Sequence, residues 1–135
     1  MKISQKNIFF IVVIILVLGI FVTVFINSSF KSTSNKYDAF ATCLKEKGVV
    51  FYGAFWCAHC NATKEFFGFS QKLLPYVECS TPDGGAQTQE CIDKKITGYP
   101  TWVFADGSRL NGEITVQNIQ NLQTLADKTS CSLPK

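Results

Sequence analysis

Cys57 and Cys60 stand two residues apart in Phe-Trp-Cys-Ala-His-Cys, immediately before a run rich in helix formers. That spacing serves three chemistries: reversible dithiol-disulfide exchange, half of a zinc site, or a small structural loop. A cysteine at a helix start faces unpaired backbone N–H groups and partial positive charge, which stabilise negative charge on its sulfur. Cys57 is therefore the expected attacking thiol. Cys60, one turn further in, is more enclosed and placed to resolve a mixed disulfide. His59 lies between them and, when protonated, adds a cation and a donor beside Cys57. These three residues form the candidate catalytic set.

Zinc needs further ligands at suitable spacing. His59 is the single histidine of the chain, and Cys79 and Cys91 are not closely paired in sequence, so no metal is expected. No other cofactor is called for. A purely structural disulfide between Cys57 and Cys60 would close too short a loop to constrain much chain entropy. Exchange chemistry is the preferred reading.

The elements that must position this pair can be read around it. Val-Val-Phe-Tyr-Gly-Ala-Phe, residues 49–55, is a continuous apolar run of the kind a central strand covered on both faces requires. Residues 57–74 follow as a helix with Phe66, Phe69 and Leu73 along one side and a kink at Gly68. Before the strand, Tyr37, Phe40 and Leu44 mark a short helix over 37–47. Tyr-Val-Glu-Cys-Ser is a second strand, residues 90–96 a short helix, and Asp106-Gly107 a hairpin turn between two more strands. Ile119, Leu122 and Leu125 give an amphipathic last helix over 117–128.

The chain has 135 residues, room for one small domain. Residues 8–26 carry no charge and no proline, and as a helix they reach about 28 Å against a hydrocarbon core of about 30 Å. A transmembrane anchor is expected there. A cleaved signal peptide is the alternative, but its apolar region is usually shorter, roughly 7 to 15 residues. Residues 1–7 are then a cytoplasmic tail, 27–36 a Ser-rich tether and 37–135 the folded domain. Of the net charge of +3, the excess lies in Lys2, Lys6 and Lys31, which flank the apolar run. The remainder is balanced, and nucleic-acid binding has no electrostatic support. All six cysteines follow the apolar run, which suggests an oxidising compartment for that side.

A proline opens the Gly-Tyr-Pro-Thr-Trp segment at Pro100, downstream of the dithiol. It resembles the thioredoxin-fold loop whose cis-proline faces the redox pair, the plain alternative being an edge-strand proline. Taken together, Tyr-Gly-Ala-Phe-Trp-Cys-Ala-His-Cys, Tyr-Val-Glu-Cys, Gln-Glu-Cys and Gly-Tyr-Pro-Thr-Trp resemble the thioredoxin-like domain associated with bacterial vitamin K epoxide reductase (VKOR) homologues. The resemblance covers roughly residues 37–128. It implies an α/β thioredoxin-like fold, with a central mixed sheet flanked by helices after the N-terminal anchor. It also implies Cys57 and Cys60 as the redox pair and Pro100 as the cis-proline; Tyr99 and Pro100 would then form the ledge on which a substrate peptide lies, with Trp56 and Ala58 as further substrate-binding candidates. Ala58 stands where the family usually has proline, and the multi-helix VKOR domain is absent, so an electron acceptor must be a separate protein.

Cys79 and Cys91 bracket a Gly-rich loop, and a disulfide there contributes about 3 kcal/mol in the chain-entropy model. The resemblance implies the same pairing; two buried free thiols are the alternative. Cys43 and Cys131 lie near the ends of the domain. They are expected either to pair, or to leave one free thiol that trades electrons with a partner. Asn61-Ala62-Thr63 matches an N-glycosylation acceptor, and a glycan there would obstruct the dithiol, which favours a bacterial envelope.

The expected function is a thiol-disulfide oxidoreductase, single-pass in a bacterial cell membrane with its domain on the extracytoplasmic side. It oxidises cysteines of exported proteins and passes electrons in trans to a VKOR-like quinone reductase. Isomerase or reductase activity on the same fold is an alternative. Thioredoxin-type reductases usually carry a buried acid in the strand before the dithiol, and residues 49–55 have none. A non-enzymatic module binding peptides around Trp56, Tyr99 and Trp102 is a third reading.

Overall fold

A computed structural model describes the backbone of residues 5–29 and 35–135, with side chains described for 8–22 and 35–135. The chain separates into two compact units at residues 34 and 35. In the first, helix α1 spans Gln5–Ser29, and side chains 8–22 are all exposed. Among the described residues no helix is long and apolar enough to cross a membrane. The transmembrane helix expected at 8–26 is not found among the described residues, and side chains 23–26 of that stretch lie outside them. The expected tail, 1–7, and tether, 27–36, fall largely outside the described residues.

The second unit is built on one four-stranded sheet. Its strands are β1 (Val50–Gly53), β2 (Tyr76–Glu78), β3 (Thr101–Val103) and β4 (Arg109–Asn111), in the order β2-β1-β3-β4. β1 runs parallel to β2 and antiparallel to β3, and β3 pairs antiparallel with β4. The apolar run thus takes an interior position in the sheet. Its successive side chains point to opposite faces, as the pleat requires. Phe51 enters a large core with Phe40, Leu44, Phe67, Trp102, Ile114, Leu122 and Leu125. Tyr52 enters a smaller cluster with Cys79, Cys91 and Ile96. Phe51 stacks on Trp102 across the strand pair at 4.3 Å, a contact that contributes about 0.5 to 1.5 kcal/mol beyond area burial.

Four helices complete the unit: α2 (Asp38–Glu46), α3 (Ala58–Phe67), α4 (Gln89–Asp93) and α5 (Gln120–Thr129). α2 buries Phe40, Ala41 and Leu44, and α5 buries Leu122, Leu125, Ala126 and Thr129. The long helix expected over 57–74 is divided. Gly68 adopts φ +55° and ψ −130°, a conformation open to glycine and strained for other residues, and α3 stops there. A 3-10 helix, Gly68–Leu73, continues the chain. Its tighter turn re-aims the side chains, so Phe69 and Leu73 face solvent while Ser70 turns inward. Between β3 and β4 the chain reverses at Asp106-Gly107, where Gly107 takes φ +80° and donates its N–H to Phe104 O.

Two disulfides fasten the unit. Cys43 joins Cys131, tying α2 to the segment after α5, and Cys79 joins Cys91, closing the loop between β2 and α4. Cys57 and Cys60 are free thiols.

Candidate active site

The end of β1 delivers the dithiol. Ala54 O accepts the Cys57 N–H at 3.0 Å, which turns the chain sharply out of the strand. Cys57 keeps an extended backbone and caps α3, its Sγ accepting the Cys60 N–H at 3.2 Å. A sulfur in the N-cap role takes up one of the helix's unpaired amide donors. Cys57 is 7% exposed and Cys60 fully buried, so Cys57 is the more accessible of the two. Burial, then the hydrogen bond and charge of Cys57, push the Cys60 thiol up to about 12.

The loop around Cys57 is held from the next strand. Glu78 Oε1 accepts the N–H of Phe55 at 3.1 Å and of Ser80 at 2.9 Å, and its Oε2 accepts the Tyr76 hydroxyl at 2.7 Å. Trp56, half-exposed, donates its indole N–H to Ser80 Oγ at 2.8 Å. Asn61 Nδ2 donates to Phe55 O at 3.0 Å, which gives this side chain a place inside the site's own scaffold. Thr63, of the same glycosylation pattern, is fully buried, where it accepts the Ile114 N–H.

Tyr99 and Pro100 are joined by a cis peptide bond. The Tyr99 ring meets Trp56 edge-on at 5.9 Å, so the residue before Cys57 and the residue before Pro100 share one wall. Gln87 Nε2 donates to the Tyr99 hydroxyl at 2.7 Å. Ala58 and His59 are exposed beside it. His59 Nδ1 lies 2.8 Å from Glu113 Oε2, so this ring is engaged with the chain after β4. Trp102 does not belong to a surface groove. It is fully buried against Phe51, because β3 places it on the core face of the sheet.

Of the expected residues, Cys57, Cys60, Trp56 and Tyr99 come together around one turn. Glu78, Ser80, Gln87, Tyr76 and Glu113 were missed by the reading of the sequence. The one available signal was a carboxylate inside the short Tyr-Val-Glu-Cys strand. The parallel pairing of Glu78 with Gly53 brings that carboxylate to the dithiol loop. Among the described residues no group of three or more His, Cys, Asp or Glu could hold a metal.

The sheet, its flanking helices and the dithiol at a helix start define a thioredoxin-like domain. No family model matches the chain. It is similar to the thiol-disulfide oxidoreductase LTO1 of Arabidopsis thaliana, 40% identical over 115 residues, 81% of this chain and 28% of that protein. It is also similar to the thioredoxin domain-containing protein 5 homolog of Drosophila melanogaster, 30% identical over 103 residues, 67% of this chain and 24% of that protein. The chain spans about a quarter of the length of these curated relatives.

Proposed function

We propose that the protein is a membrane-tethered, extracytoplasmic thiol-disulfide oxidoreductase that oxidises cysteines of exported proteins. The observation that carries this reading is the asymmetry of the pair: Cys57 Sγ caps α3 and Cys57 keeps a small exposure, while Cys60 has none. In the oxidising direction a substrate thiolate attacks Cys57 Sγ of the Cys57–Cys60 disulfide. The S–S bond breaks, and Cys60 leaves as a thiolate that takes a proton. A second substrate thiolate then attacks the substrate sulfur of the mixed disulfide and releases Cys57. The substrate loses two electrons and gains a disulfide. The dithiol gains those electrons and passes them to an acceptor.

Trp56, Ala58 and Tyr99 form the wall against which the substrate peptide lies in this reading, supported by the Trp56–Tyr99 contact, while the side chain of Pro100 is fully buried. The similarity to the thiol-disulfide oxidoreductase of Arabidopsis thaliana supports the activity. The two stapled pairs support an oxidising compartment. The uncharged apolar residues of α1 support the membrane tether, and the motif resemblance supports a VKOR-like quinone reductase as the acceptor in trans.

The test is trapping. Cys60→Ser is expected to hold a mixed disulfide through Cys57, and Cys57→Ser to lose exchange. Full activity in Cys57→Ser sinks the reading. The reduction potential of the pair sets the direction: near about −120 mV the protein oxidises, near about −270 mV it reduces.

A further inference from the structure

Resolution of a mixed disulfide requires the enclosed Cys60 to part with a proton, and reopening requires that it regain one. Cys60 is fully buried, which slows direct exchange of this proton with bulk water at neutral pH. Its surroundings on β2 supply another route. A side chain placed at Gly53 would meet Tyr76 Cε2 at 2.9 Å and Cys60 Sγ at 3.0 Å, so the tyrosine ring and the sulfur crowd the same point of β1. Cε2 adjoins the ring carbon that bears the hydroxyl. That hydroxyl donates to Glu78 Oε2 at 2.7 Å, and both residues are half-buried. Glu78 is in turn fixed by the N–H groups of Phe55 and Ser80 through its other oxygen, which leaves Oε2 to Tyr76.

We propose that Tyr76 and Glu78 form the route by which Cys60 loses and regains its proton. The proposal rests on the roles assigned to Cys57 and Cys60 above. When Cys60 attacks Cys57 Sγ in a mixed disulfide, its proton passes to the Tyr76 oxygen as the Tyr76 proton passes to Glu78. The Cys57–Cys60 bond forms, the bond from Cys57 to the substrate sulfur breaks, and the substrate leaves as a thiolate. Glu78 holds the proton as a neutral carboxyl, with Tyr76 again a phenol. The opposite direction returns that proton to the leaving Cys60. Without such a partner the attacking sulfur stays a thiol, which is a poor nucleophile.

The charged and titratable groups around this relay are few. Cys57 at the helix start and Lys64 on α3 act on Cys60, Lys64 favouring its thiolate. Glu78 and the two thiols act on Tyr76, and its hydroxyl is held far toward the protonated form by burial first and Glu78 second. A lasting tyrosinate is thus disfavoured, and the proton comes to rest on the carboxylate. Lys64 Nζ sits over the Tyr76 ring, 3.5 Å from its centroid.

The test uses the full chain with Cys57 and Cys60 reduced and both disulfides intact, mixed with 5,5′-dithiobis(2-nitrobenzoate). Attack by Cys57 releases a first thionitrobenzoate, and attack by Cys60 on the resulting mixed disulfide releases a second. Glu78→Gln keeps an acceptor for the Phe55 and Ser80 amides, and Tyr76→Phe keeps the ring. Both variants are expected to slow the second release about tenfold or more at pH 7 while the first stays within about twofold. Their second rate is expected to climb about tenfold per pH unit toward pH 9, closing the gap to the wild type as hydroxide takes over the deprotonation. Unchanged second rates overturn the proposal, as does a slowing equal in both phases or equal at every pH. If Glu78→Gln does not fold, Tyr76→Phe decides alone. Absence of a first release from the wild type would instead sink the exchange function itself.

Discussion

Cys57/Cys60 and Cys79/Cys91 are two cysteine pairs in one small domain, and their surroundings give them opposite characters. The first pair sits where a strand becomes a helix, with a backbone N–H aimed at the sulfur of Cys57, the less deeply buried of the two. The second pair is joined, fully buried beside Tyr52 and Ile96, and closes a loop whose residues reach back to the first. Ser80 accepts from Trp56 and Gln87 donates to Tyr99, so the closed loop props both aromatics of the site wall. The difference teaches that helix amides and access select the exchanging thiols, while burial within a loop-closing contact selects the staple. Cys43–Cys131 is a staple of the second kind placed elsewhere, between α2 and the end of the chain.

Removing the staples is the strongest way to break this contrast. Cys43→Ala/Cys131→Ala opens a separation of 88 residues, and the chain-entropy model sets the loss at about 4.5 kcal/mol. Cys79→Ala/Cys91→Ala opens a separation of 12 residues, with a loss of about 3 kcal/mol. Urea unfolding of the full chain measures both. The two variants should differ in a second way. Neither should alter the first thionitrobenzoate release, but the loop variant alone should slow exchange with a cysteine-containing peptide, several-fold, because Trp56 and Tyr99 lose their props. Equal peptide rates in the two variants would remove the loop's role in the site.

These pairs also show what could be read from the sequence. Spacing within one element was legible. Cys57 to Cys60 spans one helical turn, and the apolar run before them marks an interior strand, so the dithiol and its strand-to-helix setting followed from local pattern, while the fold class rested on the family resemblance. Contacts made by strand pairing were not. Glu78 reaches the Phe55 amide only because β2 lies parallel to β1, and Glu113 meets His59 only because the chain returns after β4. Apolar periodicity ran on past Gly68, where only a kink was expected, and it set Phe69 and Leu73 along one side with Phe66, whereas both face solvent. The backbone conformation of a single glycine outweighed the side-chain pattern there.

A smaller effect sharpens the contrast from the dithiol side. Gly53 has no room for a methyl group, since it would meet Tyr76 Cε2 and Cys60 Sγ at 3.0 Å or less. Gly53→Ala must displace a ring packed against Phe51 and a sulfur with no free space around it. Overpacking of this kind costs about 1 to 3 kcal/mol. The second thionitrobenzoate release should slow more than the first, since the displaced atoms belong to Cys60 and Tyr76. A stability change under about 0.5 kcal/mol would show that the β1–β2 face is looser than these distances indicate.

The smallest effect is expected at the stacked pair of Trp102 and Phe51 in the core. Trp102 is fully buried, stacked on Phe51, and its indole N–H has no partner among the described residues. An unpaired buried donor is itself unfavourable, by about 1 to 3 kcal/mol. Trp102→Phe removes that donor, keeps the stacked ring and loses some volume, so the two consequences oppose each other. The net change should stay within about 1 kcal/mol, against about 3 to 5 kcal/mol for Trp102→Ala, which also leaves a cavity. Both thionitrobenzoate phases should be unchanged in Trp102→Phe, because this side chain lies on the core side of β3 and takes no part in the wall formed by Trp56 and Tyr99. A slowed first phase would instead tie the core stack to the position of Cys57 through β1, and the separation between an exchanging pair and an inert scaffold would have to be redrawn around Phe51.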